Sequence, residues 1–256
     1  MTVPRIDARR RRTVWLLSVA ACLVAAAVGW VVWGNSRLHE TTVPGDVLMS
    51  GDGRTLTTPV DWTDCEDKPQ LAAEETAHTV KLTLTRKRHS FLSRDTVCDD
   101  RHDGLVTTTL SEPVGNRKMT DAVTGSVVIP FDASHLERPR YLPPGYAPAD
   151  NVIAPGNRSD PPYTRARTPS WTTTYQRNRD KGGQAGYVSI TEEPGGIPQT
   201  HGTAISLNGR PAHLQERPGG SRSATWADKG YAVTVEAGDP LMARDEFLRI
   251  AEEIHR

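Results

Sequence analysis

The feature that most constrains this chain is an uncharged, apolar run that begins at Val14 and ends at Trp33, directly after Arg9, Arg10, Arg11 and Arg12. About twenty residues in helical form rise about 30 Å, the thickness of a bilayer's hydrocarbon core. Arginines on the N-terminal side favour keeping that end in the cytoplasm. The run therefore predicts a single transmembrane helix over residues 13–34, with residues 1–12 a cytoplasmic basic segment and the remainder extracytoplasmic. Trp15 at one end, and Trp30 with Trp33 at the other, fit interfacial aromatic belts. Two other fates compete. Cleavage after Ala25-Ala26-Ala27 would release the protein, and Val19-Ala20-Ala21-Cys22 is similar to a bacterial lipoprotein signal in which Cys22 is acylated. Anchorage is preferred because the apolar stretch outruns the roughly 7–15 residues of a cleaved signal core. The membrane is thus an expected partner.

Removing this segment changes the charge balance. The whole chain has 31 basic and 31 acidic side chains, but five of the basic ones and only one acid precede the apolar run. The exterior therefore carries 26 basic and 30 acidic residues, a net of −4. A mildly acidic surface is a poor partner for phosphate backbones, so no nucleic acid is expected. Arginine usage over lysine points to a GC-rich, bacterial coding sequence. Cys65 and Cys98 form an even pair in a region expected to be oxidising, and a disulfide between them is the preferred reading. Zinc is the rival, with His78, His89 and His102 as co-ligands, but no Cys-x-x-Cys or His-x-x-x-His spacing supports it.

Residues 35–45 read as a polar linker. Beyond it, Thr79 to Lys87 alternates strictly, with Val80, Leu82 and Leu84 on one face, the mark of a half-buried antiparallel strand. Further strands are expected over 54–59, 105–110 and 126–129, bounded by Ser50-Gly51-Asp52-Gly53, Asp103-Gly104 and Thr124-Gly125. Together these make a small disulfide-bearing antiparallel β domain over residues 46–130. An α+β domain over 131–256 follows, with a mobile loop expected at 154–168. Its strands are expected at 170–176, 186–191, 203–207, 212–216, 223–226 and 231–237. A C-terminal helix is expected at 241–255, with Phe247, Ile250, Ala251 and Ile254 forming one buried stripe and Pro240 at its first turn. Asp228-Lys229-Gly230 reads as a hairpin turn that brings Trp226 near Tyr231.

The sequence Tyr141-Leu142-Pro143-Pro144-Gly145-Tyr146, then Asn208-Gly209-Arg210, Trp226, Gly230-Tyr231 and the terminal Phe247-Leu248-Arg249-Ile250-Ala251-Glu252-Glu253-Ile254 resembles a bacterial extracytoplasmic domain of unknown function. That domain recurs in membrane-anchored proteins, some of them anti-sigma-related or lipoprotein-carrier-like, and would cover residues 131–256. The front half, with Cys65, Glu74-Glu75-Thr76, Cys98 and Asp121-Ala122-Val123-Thr124-Gly125, is similar to small secreted bacterial β domains of unknown function. The resemblance implies topology and fold class. It carries over no catalytic residue, and no regulatory role, since only a dozen residues precede the apolar run.

Chemistry-bearing patterns are sparse. Gly-x-Ser-x-Gly, Ser-x-x-Lys and His-Glu-x-x-His do not occur. Asp99-Asp100-Arg101-His102-Asp103-Gly104 lacks the ligand register of a calcium loop and reads as a solvated turn. Glu192-Glu193 at a strand end diverge across the sheet, and the pairs Gly182-Gly183, Gly195-Gly196 and Gly219-Gly220 are turns. No catalytic, cofactor or metal residue is assigned. The one binding feature is the aromatic set Trp171, Tyr175, Tyr187, Trp226 and Tyr231, which either lines a groove or forms the core beneath the helix. The expectation is a membrane-anchored, non-enzymatic binding or interaction module of a bacterial envelope, taking a partner protein, lipid or cell-wall ligand. The alternative is an extracytoplasmic hydrolase with an unrecognised site.

Overall fold

The computed structural model describes residues 22–24, 29, 38–43, 46–88, 98, 100–149, 169–177 and 186–255. Of the apolar run only residues 22–24 and Gly29 are included, in helical conformation and exposed. The rest of the expected span, with its tryptophans, and the loop expected at 154–168 lie outside the described residues. Among the described residues no helix is long and apolar enough to cross a membrane. The described chain is mainly β, with antiparallel sheets, one disulfide and a C-terminal helix.

The first unit is built from β1 (Leu38–Thr41), β2 (Leu48–Met49), β3 (Thr55–Thr63), β4 (Gln70–Glu75), β5 (Thr79–Lys87), β6 (Arg101–Thr109), β7 (Lys118–Asp121) and β8 (Phe131–Asp132). They form two four-stranded sheets. In one, β5 is central: β4 pairs along one side, while β1 and β7 share the other side end to end. In the second the order is β6-β3-β2-β8. The period-2 alternation of β5 sends Val80, Leu82 and Leu84 inward, where they meet Leu56, Val60 and Val106 from the other sheet. The stretch expected as a linker supplies β1, and its Val43 is buried in this core. Local composition could not show that, because Leu38, His39 and Glu40 are all exposed on an edge. The strand expected at 126–129 reduces to one bridge, Thr120 to Val127. Asp121 holds this turn: its buried carboxylate accepts from the Val43 and Thr124 amides, both at 2.7 Å, and from the Val123 amide at 3.1 Å.

The second unit contains a one-turn 3-10 helix (Ala133–His135), β9 (Arg138–Pro139), β10 (Tyr146–Pro148), β11 (Trp171–Arg177), β12 (Tyr187–Pro194), β13 (Thr203–Leu207), β14 (Arg210–Glu216), β15 (Arg222–Asp228), β16 (Tyr231–Ala237), helix α1 (Arg244–Glu252) and β17 (Ile254–His255). One antiparallel sheet runs β10-β11-β12-β16-β15-β14-β13. Its apolar face, with Val188, Ile190, Val233, Val235, Ala224 and Leu214, is covered by Phe247, Ile250 and Ala251 of α1. On the reverse face Thr172, Thr191, Thr234 and Thr225 stand in register, and their hydroxyls pair at 2.9 Å (Thr172–Thr191) and 3.1 Å (Thr225–Thr234).

Helix α1 is shorter at both ends than the expected 241–255. At its start the Asp239 carboxylate accepts from the Leu241 amide and the Asp239 carbonyl from the Met242 amide, so Pro240 sits in a turn outside the helix. At its end the chain extends, and Ile254 pairs with Pro139. The two units touch. Phe131, expected to open the second domain, pairs through β8 with β2 of the first, and its ring meets Tyr231 edge-on at 5.9 Å. Ser170 also bonds Asp46 at 3.0 Å.

Candidate functional site

The structure does not gather the five aromatic side chains of the sequence into one surface groove. Trp171, Tyr175 and Trp226 are buried, and Tyr175 and Trp226 belong to the core beneath α1. Tyr231 is half-buried and divides its contacts between that core and the rings of Phe131 and His135. Tyr187 points to the opposite face, as its register beside Ala237-flanking Glu236 requires, and bonds the Glu236 carboxylate at 3.4 Å. Burial pushes the Tyr175 phenol upward in pKa, and burial followed by the Glu236 charge does the same for Tyr187. Lys229 and Gly230 form the two-residue turn, with φ of 46° and 87°, so Trp226 pairs with Val233 while Tyr231 pairs with Asp228. Sequence reasoning placed the two rings near each other, and the register sets them diagonally on one face. The Arg210 guanidinium lies 5.1 Å over the Trp226 ring, a cation–π contact inside the core.

Two buried acids stand out, Asp239, which the sequence did not single out, and Glu192, which it read only as one of two diverging acids at a strand end. Asp239, in the link between β16 and α1, accepts from the Tyr146 hydroxyl at 2.6 Å and faces Arg177 at 3.2 Å. Gly186 lies so close that a Cβ there would strike both the Asp239 carboxylate and the Tyr146 hydroxyl. Burial, then the bond to Asp239, raises the Tyr146 phenol far above its ordinary pKa, so it stays protonated and donates. This arrangement ties three chain segments together. A second buried carboxylate, Glu192, accepts from the Glu137 amide at 2.7 Å and fixes the entry into the second unit.

Around the first unit's disulfide the polar groups are mutually engaged. Cys65 and Cys98 are bonded, with Cα atoms 5.4 Å apart, which occupies both sulfurs and removes them as zinc ligands. His102 bonds Asp64 and stacks on Trp62 at 5.6 Å, while Arg86 bridges Glu66 and Asp61. His89 and Asp99 lie outside the described residues. Among the described residues no group of three or more His, Cys, Asp or Glu side chains has a metal-holding arrangement.

Among the described residues β13 ends its sheet, and the backbone there stands out. Asn208 and Gly209, with φ of 51° and 81°, make a two-residue turn of the mirror-image type that joins β13 to β14. Such a turn is closed by a doubly hydrogen-bonded pair, here Leu207 with Arg210, and bonding alternates from there. Thr203, Ile205 and Leu207 bond to β14, while Ala204 and Ser206 turn their N–H and C=O groups to the open side. Pro211, which has no N–H, falls opposite Ser206 in a non-bonded pair, as this register demands. Ala204 and Ser206 are exposed, and β13 contains no charge and no proline. The other end of the same sheet is β10, three residues long and carrying Pro148, an edge blunted in the usual way. Helix α1 borders the open edge: the Asn208 amide donates to the Glu252 carbonyl at 2.9 Å. Comparison of this chain with protein-family models, curated proteins and solved structures finds no match.

Proposed function

We propose that this chain is a membrane-anchored, extracytoplasmic interaction module, non-enzymatic, that holds an extended segment of a partner protein by strand addition to β13. The observation that carries the reading is the uncharged edge of β13, whose Ala204 and Ser206 backbone groups face outward. Main-chain hydrogen bonds along such an edge supply affinity, and pockets for alternate side chains supply selectivity. The placement in the envelope rests on the apolar run from Val14 to Trp33 and on the disulfide, a bond that persists in oxidising compartments. The partner is expected to contribute a short β-forming segment with few charges.

The test is site-specific photocrosslinking of the full-length protein in its native membrane. A benzophenone side chain at Ala204 should give a discrete protein adduct, and one at Lys229, on the β15–β16 turn, should not. Ser206→Pro removes one outward N–H without disturbing the β13–β14 pairing, and should abolish the adduct from position 204. Equal adducts from both positions, or an adduct that survives Ser206→Pro, would overturn strand addition.

A further inference from the structure

The first unit carries a second surface, and it concerns orientation. By register, Leu38 of β1, Lys81 and Lys87 of β5, and Lys118 of β7 all project from the outer face of the β5-centred sheet. The bridge from Thr120 places Val127 on that same face, Val128 packs inward, and Ile129 next to it is exposed. Leu38, Val127 and Ile129 are 66%, 59% and 49% exposed, respectively, on a sheet whose other outward positions are polar or small. Leu38 lies opposite Lys87 and Val127 beside the Lys81 level, so the two aliphatic positions are separated by about 20 Å along β5. Two apolar positions that far apart bracket the length of that face.

Only Gly34, Asn35, Ser36 and Arg37 separate Trp33 from Leu38. Fully extended, that connection reaches no more than about 18 Å. If the apolar run spans the bilayer, β1 must start within or just above the headgroup layer. From this tether and these exposed aliphatic side chains we infer that the outer face of the β5-centred sheet lies flat on the lipid surface, with Leu38, Val127 and Ile129 reaching into the interface. Lys81 and Lys87 pair with Glu74 and Asp67, and Lys118 is offset by Glu40, so the face is balanced in charge and the contact rests on its aliphatic side chains and the short tether. The consequence is directional: the opposite sheet of the sandwich faces away from the membrane. This inference rests on the anchored reading of residues 14–33, and the experiment separates the two.

Full-length protein carrying Cys22→Ser is reconstituted in vesicles of phosphatidylethanolamine and phosphatidylglycerol. A single cysteine labelled with the environment-sensitive fluorophore NBD is placed at Val127 in one sample and at Thr107 in another. Thr107 is exposed on the outer face of the far sheet, in β6. Co-flotation with vesicles that resists carbonate, together with quenching by doxyl-labelled lipid several-fold stronger at 127 than at 107, is the expected result. Carbonate-resistant flotation with equal, water-like emission at both positions overturns the docked face and leaves the anchor standing. Failure to float overturns the anchor and the docked face with it. A third label at Lys87 guards against a local effect of the 127 substitution, and it should be quenched as at 127.

Discussion

In the first unit two four-stranded sheets cover one another, and most of the buried side chains are valine and leucine. In the second, one seven-stranded sheet is covered by a nine-residue helix, and Trp226 and Phe247 are among the largest fully buried side chains. The first spreads its burial over many small contributions and adds a disulfide and the Arg86–Glu66–Asp61 ion pairs. The second adds the large rings of Trp226 and Phe247 to an aliphatic core of its own and closes its ends through Asp239. The difference teaches where each unit is vulnerable: the second to loss of one large side chain, the first to loss of its covalent closure.

The largest expected effect follows from that contrast. Phe247 is fully buried beneath the sheet, so Phe247→Ala should cost about 3–5 kcal/mol. Hydrogen exchange should then accelerate throughout β12–β16 while β3 and β6 keep their protection. Simultaneous loss in both units would mean that the Phe131–Tyr231 contact makes them one cooperative body, and the comparison would have to be redrawn. Cys65→Ser reverses the pattern. The bond closes a sequence separation of 33 residues, and opening it should cost about 3–4 kcal/mol on chain-entropy grounds. Denaturant melts should show the first unit alone weakened, with Cys98 newly titratable as a thiol. A smaller change is expected from Asp239→Asn, which keeps an acceptor for Tyr146 but removes the charge facing Arg177, itself part-exposed. About 1–3 kcal/mol should be lost, confined to the β10–β11 end of the sheet and the start of α1. An unchanged melt would show that Asp239 positions the chain without stabilising it.

How much of this was legible in the sequence depended on whether a residue's neighbours or its distant partners decided its state. The alternation of β5, the Lys229-Gly230 turn and the Phe247–Ile250–Ala251 stripe are local patterns, and they appear where expected. Strand β1 and the pairing of Phe131 with Leu48 are long-range choices that no local period records. The early stop of α1 has the same origin, since Ile254 could continue the helix and instead pairs with Pro139. Among the candidate functional residues, the cysteines were readable from their even number. Ala204 and Ser206 were not, because what sets them apart is backbone direction at the end of the sheet as the described residues form it.

The smallest expected effect concerns the first unit's ionic closure and depends on pH. Glu75, at the end of β4, accepts from the Ser111 amide at 2.7 Å and from Arg117 at 2.7 Å. The amide bond first, and the guanidinium second, hold its carboxyl down at about 2 against an ordinary value of 4.5. Because the folded form binds the proton more weakly than the unfolded chain does, the contribution is fully present above about pH 4.5 and is lost as pH falls through about 2. Comparing the parent with Glu75→Gln by urea melts at pH 7, 4 and 2.5 should therefore give a gap that narrows steadily toward acid. Tyr146, whose pKa is raised, stays protonated across that range and contributes nothing to the trend. A constant gap would place the stabilisation in the hydrogen bonds rather than in the charge, because the single carbonyl oxygen of Gln can replace only one of the two oxygens that accept from Ser111 and Arg117.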